Sequence, residues 1–147
     1  SMDARDYKIN EVIEYFDAND LTYSGLNLQI LLDTINFRIE KLLDKDHQIG
    51  HAYFLHIYQS DSPTIALKQT FKKNILPLLQ EYFYGDYGKI GLVLGKSFVK
   101  KKIKSKGSFA KFDDIDQQLI TDYEERSVYE LVDVESLDKA NFMAIYE

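Results

Sequence analysis

The sequence predicts a mainly α-helical fold with a small β element in its C-terminal third. Residues 28–43 carry an apolar stripe at helical spacing, and residues 67–83 carry a second one. Only residues 127–134 alternate loosely and are rich in Val and Tyr, as expected for a strand. We therefore expect four or five helices packed around the first two segments. The stripe of the first segment consists of Leu31, Leu32, Ile35, Ile39, Leu42 and Leu43.

The composition supports a folded domain and excludes several classes of protein. The chain has 147 residues, of which 45% are hydrophobic and 14% aromatic, so it can bury a core. It contains no cysteine, which excludes disulfides and thiolate chemistry. No apolar run approaches the roughly 18 residues of a membrane-spanning helix, and no signal peptide is visible. We expect a cytoplasmic protein.

The first half of the chain is predicted to be helical with two interruptions. Residues 6–17 have the spacing of a short amphipathic helix, and Ser24 is the expected cap of the next one. That next helix should end near residue 43 or 44. Residues 44–50 then form a polar break in which Gly50 allows a turn that a bulkier residue would resist. The aromatic run 52–58 is interpreted as a short strand or a buried extended segment.

The second helical segment begins at Ser62 followed by Pro63, the pattern of a cap and a first-turn proline. Pro77 lies inside its apolar pattern, so we expect a kink or short break near Asn74. A turn and another short helix over residues 89–94, ending at a glycine, follow. We expect residues 74–95 to be the packing partner of residues 31–54.

Beyond residue 95 the pattern is weaker. Residues 97–99 and 108–112 could form short strands, and residues 112–123 show a weak, acidic helical pattern. The strand prediction is strongest for 127–134. A last helix is expected over 136–146, with its first residue as the cap.

Six lysines without an acidic residue occupy residues 96–106, although the net charge of the chain is −6. Such a cluster can contact nucleic-acid phosphates, and its candidate residues are Lys100, Lys101, Lys102 and Lys104. The alternative is a solvated loop or an edge strand that lysines protect from aggregation. The acidic remainder of the chain favours this alternative, because it opposes nonspecific nucleic-acid binding.

No self-sufficient active site can be built from the sequence. Gly91 and Gly95 precede Lys96 and Ser97, but three residues separate the glycines where a Walker A loop needs four. No Walker B strand and no nucleophile–base pattern is present. His47 and His51 are four residues apart, but Gly50 interrupts the helix that would bring them together, and we expect no metal site.

Two blocks of the chain resemble a known family. The blocks are LLDTINFRIEKLL at 31–43 with IGHAYF at 49–54, and ILPLLQEYF at 75–83. Together they are similar to the segment that follows the ATPase core in McrB-type AAA+ GTPases. These proteins are the motor subunits of modified-cytosine restriction systems. The resemblance covers roughly residues 6–95.

The resemblance implies that the chain is the C-terminal lid of an AAA+ NTPase. In that family the Walker motifs, the first sensor and the arginine finger lie upstream of these blocks, so we expect no enzymatic activity from this chain alone. Residues 1–95 would form the helical AAA+ lid-like subdomain, and residues 96–147 a C-terminal α+β extension packed on it.

The resemblance also implies candidate site residues. Ile49, Gly50 and His51 fall where AAA+ lids usually carry the second sensor, which makes His51 the first nucleotide-facing candidate, with Gly50 permitting close approach. Arg38 is a weaker candidate, with an exposed ion pair to Glu40 or a neighbour of Asp33 as the alternative. For His51 the alternative is a packed histidine bonded to backbone. Alanine stands at position 52, where a small hydroxyl residue is common in the family.

For the whole protein the resemblance implies GTP or ATP with Mg²⁺ as the cofactor and assembly into a homo-oligomeric ring. The implied partners are the missing core of the same chain and a nuclease subunit. DNA is a further partner to be considered, and no membrane is implied. Two other functions stay open: a stand-alone helical protein-interaction module, and a DNA-binding module that uses the lysine cluster.

Overall fold

The computed structural model describes residues 22–23, 26–103 and 109–147. Its helices are α1 (Leu28–Leu42), α2 (Ala52–Gln59), α3 (residues 63–82), α4 (Tyr87–Leu94), α5 (Gln117–Glu125) and α6 (Lys139–Met143), and its strands are β1 (Thr22–Tyr23), β2 (Leu26–Asn27), β3 (Val99–Lys101) and β4 (Tyr129–Leu131). The prediction of a mainly α fold with a small β element is confirmed. The helix predicted over residues 6–17 lies outside the described residues.

The helix α1 begins where a side chain satisfies its free backbone donors. Oδ1 of Asn27 accepts a hydrogen bond from the N–H of Ile30 at 3.0 Å. The cap is therefore Asn27, whereas Ser24, which we expected there, lies outside the described residues. The predicted apolar stripe faces the core as far as Ile39, whereas Leu42 is half-buried and Leu43 is 37% exposed, so the prediction was wrong at its C-terminal end. The fully buried residues of α1 are Leu28, Leu31, Leu32, Ile35 and Ile39.

The segment 52–58 is a helix, so the prediction of a strand or extended segment was wrong. The carbonyl of His51 accepts hydrogen bonds from the N–H groups of Phe54 (2.9 Å) and Leu55 (3.1 Å), which closes the first turn of α2. Phe54 and Ile57, three residues apart, are both buried. Their helical spacing was obscured because the residues between them are also apolar or aromatic.

The helix α3 runs through its internal proline without a break. It consists of Pro63–Thr70, the wide π-helical turn Phe71–Ile75 and Leu76–Tyr82. Pro77 has no N–H to donate, and its ring would collide with the carbonyl of Lys73 in a regular α-helix. The π turn is the irregularity we expected near this position, but it widens the helix instead of ending it. Ser62 precedes α3 as predicted, although its side chain makes no capping hydrogen bond.

The helix α4 packs on α1, as expected for the contact between residues 74–95 and residues 31–54. Asp86 caps α4 by accepting from the N–H of Lys89 at 3.2 Å. The helix ends at Gly95, whose φ of +87° lies in the region that glycine tolerates best.

The C-terminal part adds an antiparallel pair of strands, β3 and β4, with Val99 opposite Leu131. The predicted strand at 127–134 is confirmed at Tyr129–Leu131, and the strand predicted at 97–99 begins only at its last residue. Of the strand predicted at 108–112, residues 109–112 are irregular. The last helix, α6, is capped by Asp138 and Asn141 in a reciprocal capping box, so a cap at residue 136 was wrong.

Four aromatic rings hold the helices and the C-terminal part together. Phe71 of α3 has its ring centroid 6.3 Å from that of Phe54, 5.5 Å from that of Phe98 and 5.0 Å from that of Phe142. Phe98 and Phe142 also contact each other edge to face at 5.3 Å. Residues from both predicted parts, 1–95 and 96–147, therefore share one hydrophobic core.

Candidate functional site

The segment that carries the first candidates, Ile49 to His51, is held in place by one buried amide. Oδ1 of Asn36 accepts a hydrogen bond from the N–H of Ile49 at 2.6 Å, and Nδ2 of Asn36 donates to the carbonyl of the same residue at 2.9 Å. Both residues are buried. Asn36 thus pairs with the backbone of Ile49 as a neighbouring strand would, and it fixes the chain immediately before α2.

His51 is the first residue of the α2 turn and is half-buried. Its backbone is already helical, with φ −64° and ψ −24°, and its side chain makes no capping hydrogen bond to α2. The structure therefore places the imidazole at the N-terminal end of α2, where the N–H groups of the first turn have no partner within the helix.

Gly50 does not need to be glycine for the fold of this chain. Its φ lies outside the left-handed region, and a Cβ built on it would have no heavy atom within 4 Å apart from its chain neighbours. The expectation that Gly50 allows a turn that a bulkier residue would resist was therefore wrong. The surface beside Gly50 is open.

Arg38 has a structural contact inside the chain. Its guanidinium Nη1 donates to the carbonyl of Val93 at 2.8 Å, and the bond is partly buried. Val93 lies in the last turn of α4, where carbonyls lack partners within the helix and a positive charge is favourable. The expected ion pair with Glu40 or a neighbour of Asp33 is not found among the described residues.

A second histidine precedes this segment. Nδ1 of His47 lies 2.7 Å from Oδ1 of Asp44, and the His47 ring meets the ring of Tyr82 edge to face at 4.9 Å. The hydrogen bond with His47 holds the pKa of the Asp44 carboxyl below its ordinary value, and hydrogen bonds from two backbone N–H groups act in the same direction. Burial raises the pKa of the Tyr82 phenol, with smaller contributions from Tyr53 and Glu81.

The described residues around His47 and His51 contain no cluster of possible metal ligands. Within residues 22–23, 26–103 and 109–147, no three His, Asp or Glu side chains converge as metal ligands would. His47 is the last residue of the 3₁₀ turn Lys45–His47 and His51 directly precedes α2, so the two histidines do not share one helix.

Of the described lysines of the cluster, Lys100 and Lys101 lie on strand β3, and Lys96 and Lys102 lie outside it. Side chains alternate along a strand, so Lys100 points to one face of β3 and Lys101 to the other, which Val99 shares. Nζ of Lys100 lies 3.5 Å from Oε1 of Glu130, its cross-strand partner. Lys104 lies outside the described residues. The described lysines thus do not form one continuous basic face.

The residue that sequence reasoning missed is Asn36. Its helical spacing with Gln29, Asp33 and Glu40 predicts a solvated polar stripe on α1, yet Asn36 is only 7% exposed. Asn36 follows the buried Ile35 directly and lies four residues after the buried Leu32. An asparagine at that place in an apolar stripe was the available signal, because a buried amide must find partners.

A comparison with known protein families supports the resemblance that the sequence blocks at 31–54 and 75–83 indicate. Residues 27–91 match the family model described as the McrB alpha-helical lid domain. The match runs from the cap of α1 into α4 and covers just under half of the chain, so it is narrower than the expected 6–95. It confirms the resemblance to a McrB-type lid region for this segment and implies a module associated with AAA+ proteins of that type.

No curated protein and no solved structure matches the chain. Among the residues that the structure describes, no helix is long and apolar enough to cross a membrane.

Proposed function

We propose that residues 27–91 form the lid of an AAA+ NTPase of the McrB restriction-motor type, contributing to nucleotide sensing and ring assembly without being catalytic alone. The observation that carries this proposal is the match to the McrB lid. The geometry around Ile49 adds support, because the motif IGHAYF coincides with the fixed entry into α2.

Within the lid, Ile49, Gly50 and His51 are the residues proposed to face the nucleotide. The Asn36 clamp fixes their backbone, so His51 is presented at a defined position without induced folding. The open space beside Gly50 leaves room for a ligand or a neighbouring subunit to approach the backbone. A histidine held at the end of a helix can donate a hydrogen bond to a phosphate or to developing negative charge.

We assign Arg38 a positioning role in place of a sensing one. Its bond to the carbonyl of Val93 joins α1 to α4, the two helices at the ends of the matched segment. This contact would help the lid to move as one body when the nucleotide state changes.

The chemistry of hydrolysis would come from an AAA+ core with Walker A and Walker B motifs, acting on GTP or ATP with Mg²⁺. Binding and hydrolysis would shift the lid against that core in a hinge motion passed around a homo-oligomeric ring. A nuclease subunit and DNA are the expected partners of such a restriction motor, and the cytoplasm is its expected compartment.

The positions of the described lysines support a DNA-binding function less than their number in the sequence does. Lys100 is already paired with Glu130, and the two lysines of β3 point to its two faces. Few of the described lysines could meet one phosphate backbone at the same time, and affinity grows with the number of phosphates neutralised.

The proposal is tested by the coding sequence upstream of Asp3 in the source gene. We expect it to encode a Walker A loop, a Walker B strand and an arginine finger in the same reading frame. A gene whose product starts at Met2, with no such motifs in it, would contradict the motor function. In that case the interaction-module function would become the leading hypothesis.

A further inference from the structure

The described residues 109–128, which lead into β4, lie outside the hydrophobic core, and we call them the arm. The carbonyl of Val128 accepts a hydrogen bond from the backbone N–H of Lys102 at 2.7 Å, so the C-terminal end of the arm is joined to the strand pair. No residue of α5, the helix within the arm, is buried. The described part of the arm contributes no buried residue to the hydrophobic core.

The arm contains an apolar groove of about 380 Å³. Its walls include Phe109, Phe112, Ile115, Ile120, Tyr123 and Val128. Phe109, Phe112 and Val128 are 57%, 61% and 58% exposed. Single exposed apolar side chains are common on protein surfaces, but a contiguous group of large ones is typical of an interaction site. Such a group favours association because binding a partner removes its apolar surface from water.

The residues that neighbour the groove's lining in the sequence, which we call its rim, are acidic, whereas the charged residue of the lining itself is Arg126. Residues 109–128 contain six carboxylates, all exposed, and two cations. One cation, Arg126, lies over the ring of Tyr123 with its guanidinium carbon 4.7 Å from the ring centroid. None of the carboxylates forms an ion pair with a described residue. They are Asp113, Asp114, Asp116, Asp122, Glu124 and Glu125.

We propose that this groove docks a basic amphipathic helix of a partner protein. The apolar face of such a helix would cover the aromatic walls, and its Lys or Arg side chains would meet the carboxylates of the rim. The same carboxylates would repel nucleic acid and anionic lipid, which argues against those ligands.

A model helix tests the proposal. The probe is a peptide of about 14 residues made of Leu and Lys with helical amphipathic spacing and one Trp on its apolar face. Because the chain contains no Trp, the fluorescence of the peptide reports its own binding. We expect binding to the 147-residue chain that weakens as salt is added, and at least tenfold weaker binding of a matched peptide with Glu in place of Lys.

Two variants with matched controls locate the binding. Phe112→Ser is expected to weaken binding of the Lys peptide about tenfold, whereas Leu92→Ser, at a residue of α4 that is 66% exposed, should not change it. Glu124→Lys should weaken it, and Asp61→Lys, which changes the net charge equally, should have less effect. Both test residues lie outside the buried core, so the variants should fold normally.

Equal binding of the Lys and Glu peptides, or undiminished binding to Phe112→Ser, would overturn the proposal. Sedimentation of the chain without peptide provides the other decisive result. If the chain dimerises and Phe112→Ser abolishes the dimer, the occupant of the groove is a second copy and the proposed partner is wrong.

Discussion

Replacing Phe71 with alanine is expected to lower the free energy of unfolding by about 3–5 kcal/mol, the range found for truncating a buried aromatic ring. Phe71 is fully buried and lies in the π turn of α3. Its ring contacts the rings of Phe54, Phe98 and Phe142. The cavity would therefore open where α2, α3 and the C-terminal part meet, and it could not collapse without moving all three.

Urea denaturation of the 147-residue chain measures this effect. The matched control is Phe37→Ala, which removes an equal side chain that is 59% exposed on α1. The ammonium of Lys41 lies 5.4 Å from the ring centroid of Phe37, and the loss of this exposed ring should cost at most about 1 kcal/mol. Equal losses of stability in the two variants would show that Phe71 is not at the centre of the core.

Replacing Asn36 with alanine is expected to cost about 2–4 kcal/mol, because it leaves both the N–H and the carbonyl of the buried Ile49 without their partner. The substitution should lower the stability of the whole fold and, in addition, loosen the chain around Ile49. Without the clamp, the chain between α1 and α2 would no longer be fixed at Ile49, and the position of His51 would vary.

Amide hydrogen exchange separates the local effect from the global one. The amide of Ile49 should exchange much faster in Asn36→Ala than global unfolding alone explains. Asp33→Ala is the control, since Asp33 is exposed on the same helix, and it should change stability by no more than about 0.5 kcal/mol. Unchanged protection of the Ile49 amide in Asn36→Ala would exclude the clamp.

The parts of the fold that the sequence predicted correctly are those with a strong periodic pattern. The helix α1 buries the stripe that its spacing indicated from Leu31 to Ile39. The proline at the start of α3 and the irregularity before Pro77 follow from the geometry of the proline ring. Strand β4 was the best strand prediction because residues 127–134 alternate loosely and are rich in Val and Tyr.

The parts that failed depend on tertiary contacts. The helix α2 is only eight residues long and apolar on most sides, so its periodicity could not distinguish a helix from a buried strand. The amide of Asn36 reaches Ile49 thirteen residues away, and the guanidinium of Arg38 reaches Val93 across the α1–α4 contact. Neither partner can be read from local spacing, because both are set by how helices pack.

The candidate site was predicted through family resemblance more than through residue chemistry. The blocks around residues 31–54 and 75–83 indicated a resemblance to McrB-type lids, and the match of residues 27–91 to that family model confirms the resemblance. The nucleotide-facing role of Ile49, Gly50 and His51 stays a prediction. The groove of the arm was not foreseen, because its aromatic residues are separated by acidic ones and show no clear period.

The measurement that tests the account most directly is nucleotide turnover by a chain that joins the upstream AAA+ core to this lid, compared between His51→Ala and His56→Ala. His56 lies on the same helix, exposed to solvent, so it controls for the loss of an imidazole from α2. We predict that His51→Ala lowers turnover by about 10²-fold, the loss typical of removing one hydrogen-bond donor from a transition-state charge, while His56→Ala retains it. Gly50→Ala should fold normally, because a Cβ there meets nothing within the chain. It should also reduce turnover, because the added Cβ would occupy the open space through which a ligand approaches the backbone. Wild-type turnover in both His51→Ala and Gly50→Ala would contradict a nucleotide-facing lid.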